Sequence, residues 1–297
     1  MMKPSTAWLV IATFFVAIDS SFQVARGDEP LSIWPDLAPG ETKKSRGKAQ
    51  PNRVNETPPI TRVVEITEPT MTIHLAPRPN GAAVVILPGG GFGKVVPDME
   101  GSEAAPFLNK IGISVFVLSY RTKSKSDVNG WLKPLQDAQR AISLVRSRAK
   151  EWKLDPAKIG LFGFSAGGQV AVRLLCDNGR KAYPRLDKMD DIEHRPNFAL
   201  LIYPWNLYDA KADGLVDGLV IPKNCPPTFL VHTDDDASTS LGTVCIYMAL
   251  KKQRVPAELH VYGNGGHGYG LRPRTGSQIS TWPQHATNWL LSQKFGD

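Results

Sequence analysis

Apolar residues along this chain recur in two patterns. Short β-branched or apolar runs occupy Arg62 to Ile66, Met71 to Leu75, Ala82 to Leu87, Ser114 to Ser119, Lys158 to Phe162, Phe198 to Tyr203, Thr228 to His232 and Ala257 to Tyr262. The stretches VVIL, VFVL, IGLF, ALLI and TFLV lack polar alternation, as expected of strands in a parallel sheet covered on both faces. Between them lie helical stripes. The clearest places Leu135, Ala138, Ile142, Val145, Ala149 and Trp152 three or four residues apart, with Pro134 suited to the first turn and a stop before Asp155-Pro156. Further helices are expected over Gly101 to Ile111, Ala166 to Cys176, Leu241 to Arg254 and Pro283 to Ser292. Strands alternating with helices predict one open, mostly parallel α/β sheet, with helices on both faces and an antiparallel hairpin at its N-terminal edge.

The ends of the pattern differ from its middle. Lys3 precedes an apolar stretch from Ala7 to Ile18 and a small-polar segment ending at Gly27. That stretch is shorter than the ~20 residues needed to span a bilayer, so residues 1–27 read as a secretory signal cleaved after Gly27. The address implied is secreted or periplasmic, with no membrane attachment after processing. Residues 28–60 carry Pro30, Pro35, Pro39, Pro51, Pro58 and Pro59 among many charges, which predicts an extended arm laid on the domain or left mobile. The domain proper is expected over 61–297, and residues 177–196 and 204–226 are irregular insertions of the kind that shape a site.

Composition narrows the function classes. With 42% hydrophobic and 21% charged residues, the chain is neither disordered nor a multi-span membrane protein. A net charge of +7 is modest and dispersed, and the densest basic group, Lys43, Lys44, Arg46, Lys48 and Arg53, reads as a solvated loop. Nucleic acid is therefore not an expected partner. Three cysteines, Cys176, Cys225 and Cys245, allow at most one intrachain bridge, so the fold must stand on its core.

The central motif is Gly163-Phe164-Ser165-Ala166-Gly167, between the apolar run IGLF and a helical pattern. A sharp strand-to-helix turn needs glycine on both flanks and thrusts Ser165 outward as a nucleophile, while the Ala166 N–H faces the oxygen that becomes negative. Pro88-Gly89-Gly90-Gly91-Phe92 follows the strand AVVIL, where an α/β-hydrolase places its other oxyanion donor, Gly89 or Gly90. A phosphate loop does not fit, because Pro88 stands where its first glycine belongs and Val95 follows Lys94. His267 lies in Gly263-Asn264-Gly265-Gly266-His267-Gly268-Tyr269-Gly270 after the last strand, where the order Ser, acid, His puts the base. That stretch also matches G-x-G-x-x-G, but no βαβ unit follows and Asn288 stands where an acid is needed. His260 competes from inside a strand pattern, and His232, His74, His194 and His285 have no comparable setting.

The acid should follow the strand TFLVH, and Asp234, Asp235 and Asp236 are all candidates. Like-charge repulsion lets only one of them pack beside the imidazole, with Asp236 favoured and Asp235 next. No His or Cys at ligand spacing supports a metal at this triplet, and no cofactor is expected. Trp131, Trp205, Tyr203, Tyr208 and Tyr269 could form a sugar or aryl platform or simply pack.

Taken in order, IWPDLAPG, PGGGF, the SYR at Ser119 to Arg121, GFSAGG, HTDDD, PAELHVY and GGHGYGL resemble the secreted acetylxylan and feruloyl esterase group of the α/β-hydrolase fold, whose relatives are often labelled as xylanases. The resemblance spans about residues 33 to 271. It implies Ser165 as nucleophile, His267 as base, Asp236 as acid, and Gly89 or Gly90 with Ala166 as oxyanion hole. Acetyl or feruloyl esters on a polysaccharide such as xylan would be the substrates. The chain departs from that group at Ala237-Ser238-Thr239-Ser240, where the group has a proline and apolar residues, so the choice within Asp234 to Asp236 stays open. A lipase or peptidase shares the fold, a glycosidase would need a placed pair of carboxylates, and a silent carbohydrate-binding protein would not need the nucleophile.

Overall fold

The computed structural model describes residues 29–296, so the expected signal at 1–27 lies outside the described residues. In chain order the strands are β1 (Leu31–Ser32), β2 (Arg46–Ala49), β3 (Val63–Ile66), β4 (Thr70–His74), β5 (Ala83–Leu87), β6 (Ser114–Ser119), β7 (Ile159–Phe164), β8 (Phe198–Ile202), β9 (Tyr208–Asp209), β10 (Gly214–Leu215), β11 (Thr228–Thr233) and β12 (Ala257–Tyr262). The α-helices are α1 (Ala105–Lys110), α2 (Leu132–Ser147), α3 (Ser165–Leu175), α4 (Leu241–Lys252) and α5 (Trp282–Ser292). One eight-stranded sheet runs β1-β4-β6-β5-β7-β8-β11-β12. It is parallel from β6 to β12 and antiparallel at β1 and β4.

The continuous apolar runs are the strands buried on both faces. Along β5, Ala83, Val85 and Leu87 enter one core with α2 and α3, while Val84 and Ile86 enter the other with α1 and α5. That division follows from the two-residue period of a strand.

Two expectations are corrected. The N-terminal edge is antiparallel but not a hairpin, because β3 pairs with β2 in a separate two-stranded ribbon and β4 pairs with β1 and β6. The connection Thr67-Glu68-Pro69 turns back instead, with the N–H groups of Thr67 and Glu68 both donating to Ser45 O. Helix α2 ends at Ser147, and Ala149 and Trp152 reach the core from the turns after it.

The arm is laid on the domain by specific contacts. Trp34 is buried and donates from Nε1 to Asp137 at 2.8 Å. Asp137 also accepts the Arg121 guanidinium and backbone N–H, and Arg121 reaches the Pro39 carbonyl at 2.6 Å. Both charged side chains of this pair are fully buried, which is tolerable because both carboxylate oxygens and all three guanidinium nitrogens have hydrogen-bond partners. The three cysteines are free, and burial pushes the Cys176 and Cys225 thiols up to about 12.

Candidate active site

Five loops converge where the parallel strands end. Gly89 follows β5, Ser165 follows β7, Tyr203 follows β8, Asp236 follows β11 and His267 follows β12. Ligand crevices of open α/β sheets lie at this carboxyl edge.

Ser165 sits at the bend with φ 50°, a left-handed conformation uncommon for a side-chain-bearing residue. The bend survives because Gly167 lacks a Cβ, which would collide with the Leu87 carbonyl. Ser165 Oγ lies 2.7 Å from His267 Nε2, and His267 Nδ1 lies 2.6 Å from Asp236 Oδ2. A carboxylate only accepts, so Nδ1 carries the hydrogen and Nε2 is left to accept the Ser165 O–H.

The three aspartates separate by environment. Asp234 and Asp235 are exposed and Asp236 is buried. Asp236 Oδ2 takes His267 and, at 3.1 Å, the Nε2 of His232, while Oδ1 takes the Ser238 N–H at 2.7 Å and its hydroxyl at 2.9 Å. Burial opposes ionisation, but donations from His232, His267 and Ser238 outweigh it and hold the carboxyl well below the usual range. Asp235 instead accepts the Gly265 and Gly266 N–H groups at 3.1 and 2.8 Å, fastening the loop that carries His267. Those N–H donations hold its carboxyl below the ordinary aspartate value too.

The oxyanion expectation needs one correction. The Gly89 N–H is already spent, donating to Glu100 Oε2 at 3.0 Å. The Gly90 and Ala166 N–H groups donate to no protein acceptor among the described residues, and Gly90 lines the same cavity as Ser165. Ala166 is free because the first N–H groups of a helix have no intrahelical partner. Gly90 has φ 131° and its missing Cβ would meet the Lys94 carbonyl, so only glycine fits.

Residues 50–197 match the BD-FAE family. The acetyl ester-xyloside bifunctional hydrolase of Caldicellulosiruptor lactoaceticus superposes with a TM-score of 0.70 at 28% identity, covering 93% of this chain and 100% of that one. The chain has the α/β-hydrolase fold and is similar to acetylxylan esterases. An acetylxylan esterase of Xylanibacter ruminicola is 28% identical over 253 residues, 75% of this chain and 48% of the relative. Endo-1,4-beta-xylanase B of Butyrivibrio fibrisolvens is 27% identical over 206 residues, 62% of this chain and 32% of the relative. The chain thus spans about half the length of the first relative and a third of the second.

Several residues that support this candidate site were not singled out from sequence. His232, dismissed as lacking a setting, is fully buried between Asp236 and the Thr243 hydroxyl, which lies 2.7 Å from its Nδ1. Its position near the end of a buried strand, four residues before Asp236, was the available signal. Glu100 had no motif. It is buried behind the cavity, where Oε1 accepts the Tyr203 hydroxyl at 2.9 Å, and that hydroxyl accepts the Gly270 N–H at 2.9 Å. Burial raises the Glu100 carboxyl despite these donors. Tyr203, itself at φ 39°, packs edge-on against the His267 ring at 5.0 Å. The network therefore ties the Gly89 loop to the loop after His267.

Removing the hydroxyl in Tyr203→Phe leaves the Gly270 N–H unpartnered and takes a donor from Glu100. The expected loss is about 1–3 kcal/mol of unfolding free energy by urea titration, with slower ester turnover. A variant as stable and as fast as the parent would remove this network from the account.

Of the five aromatic candidates, Trp205 alone lines the cavity. Tyr203 and Tyr269 are buried behind it, Trp131 lies under the Arg173 guanidinium at 4.0 Å, and the Tyr208 hydroxyl binds Asp213. The insertion at 177–196 supplies no wall residue, because it packs on α2 through Arg140, Asp187 and Asp190. The arm supplies three instead, Arg53, Glu56 and Ile60, which face the cavity beside Arg62.

Proposed function

We propose that this chain is a serine esterase that removes acetyl, or feruloyl, groups from a plant-type polysaccharide such as xylan. The observation that carries the reading is the continuous hydrogen-bonded chain from Ser165 Oγ through His267 to Asp236 on the wall of an open cavity of about 520 Å³. Ser165 Oγ attacks the ester carbonyl as its proton passes to His267 Nε2, and the C–O bond to the alcohol breaks as Nε2 returns that proton to the leaving oxygen. Water then repeats the exchange and releases the acid. Through both steps Asp236 holds the ring, and the Gly90 and Ala166 N–H groups face the developing oxyanion; one such donor is worth roughly 10²–10³ in rate. No cofactor enters this sequence.

The fold's other chemistry fits the cavity less well. A glycosidase needs two uncommitted carboxylates flanking a bond. Glu56 and Glu100 both reach the cavity, but Glu56 is clamped by Arg62 at 2.6 and 2.8 Å and Glu100 is bound to Gly89 and Tyr203. Incubation with acetylated xylan is expected to release acetate without new reducing ends. Reducing ends without acetate would overturn the reading. We propose in addition that residues 1–27 direct export, which N-terminal sequencing of the exported protein, starting at Asp28, would test. Among the described residues no helix is long and apolar enough to cross a membrane.

A further inference from the structure

We propose that the ester accepted at Ser165 sits on a sugar chain bearing negative charge close to the acyl group, as a carboxylate or a sulfate. This names the substrate class of the proposed esterase and rests on that reading.

The wall of the cavity is charged asymmetrically. Arg53, Arg62, Lys94 and Arg274 all face it, and the only carboxylates on it are Glu56 and Glu100. Glu56 lies between Arg62, which binds it through two hydrogen bonds, and Arg53 at 3.8 Å, so one carboxylate answers two guanidinium groups. Glu100 is fully buried at the back, with its oxygens occupied by the Gly89 N–H and the Tyr203 hydroxyl. Lys94 has no carboxylate within 4.0 Å among the described residues. Arg274 contacts none either, since its Nη2 donates to the Gly268 and His267 carbonyls at 3.0 and 3.5 Å. It is thereby held against the loop carrying the imidazole, with its remaining N–H groups free.

A concave wall of one sign focuses potential and gathers ions of the opposite sign. Guanidinium forks match the paired oxygens of carboxylate and sulfate. A neutral acylated sugar would call for stacking faces and neutral hydrogen-bond partners, and the wall offers Trp205 as its one aromatic side chain. Lys94 and Arg274 line the cavity beside the serine without a carboxylate partner among the described residues, and Arg274 is only partly used by the Gly268 and His267 carbonyls, so both charges are available to a ligand.

The test uses the full chain on three acetylated oligosaccharides matched in length: a neutral xylo-oligosaccharide, one carrying a uronate, and one carrying a sulfate ester. A simple chromogenic acetate is measured alongside. At low ionic strength kcat/KM for one acidic substrate is expected to exceed the neutral one by at least about tenfold, through KM, with the advantage shrinking as salt is raised. The better of the two acidic arms identifies the anion. In Lys94→Glu and Arg53→Glu the acidic-to-neutral ratio is expected to fall about tenfold each, with folding followed by thermal unfolding; the milder Lys94→Gln should fall between parent and Lys94→Glu. Hydrolysis of the chromogenic acetate with equal, salt-insensitive rates on all three sugars would overturn this proposal and leave the esterase reading standing. No turnover of any ester would remove both.

Discussion

Replacing Ser165 with alanine is expected to lower ester turnover by about 10⁴-fold or more while leaving the unfolding transition nearly in place. The size follows from the geometry. Without Oγ the imidazole has no proton to take and no acyl-enzyme can form, so only the N–H donors and substrate positioning continue to act. The hydroxyl's contact is with His267 on a half-exposed loop, and its loss opens no cavity in either core. Alanine relieves no strain either, because φ 50° is unfavourable for any residue with a Cβ. The check is kcat/KM on a chromogenic acetate beside a circular-dichroism melt, with mass spectrometry of the parent after an organophosphonate to locate the label. A label on another serine, or alanine at parental rate, would end the account.

The second large effect separates neighbouring aspartates. Asp236→Asn is expected to cost about 10⁴-fold in kcat, because an amide cannot hold the same imidazole tautomer or stabilise its positive form. Asp235→Asn removes an exposed carboxylate that fastens Gly265 and Gly266, and should cost far less. Equal losses, or a larger one at Asp235, would transfer the role. Asp236 also sets an acid dependence. Its carboxyl ionises well below the ordinary aspartate value, so its contribution to stability is complete above ~4 and is lost as pH falls through the lower folded value. Asp236→Asn should therefore flatten the stability of the protein in acid relative to the parent.

Much of this arrangement was legible in the sequence for identifiable reasons. The apolar runs marked the buried strands because each of their side chains meets a core, and β6 and β12 begin and end where their patterns do. Ser165 and His267 were legible because glycine-flanked loops after strands leave few ways to use a polar side chain. Asp236 could be preferred but not fixed, since three identical residues differ only in what packs over them. The links that failed are long-range. Nothing local to Glu100 or Tyr203 signals that they meet across 103 residues, and Gly89 was indistinguishable from Gly90 until the Glu100 carboxylate claimed its N–H. The pairing of β3 with β2 was likewise hidden, because a short connection between two strands ordinarily means a hairpin.

The Pro-punctuated arm bears on how the proposed esterase could be altered. Ser165, His267 and Asp236 follow strands locked into the sheet, whereas Arg53 and Glu56 come from chain that lines the cavity without joining the sheet. Part of the selective wall is thus written in a stretch of sequence apart from the reacting side chains. Exchange of a dozen residues upstream of β3 can retune what enters while every proton-moving atom keeps its place.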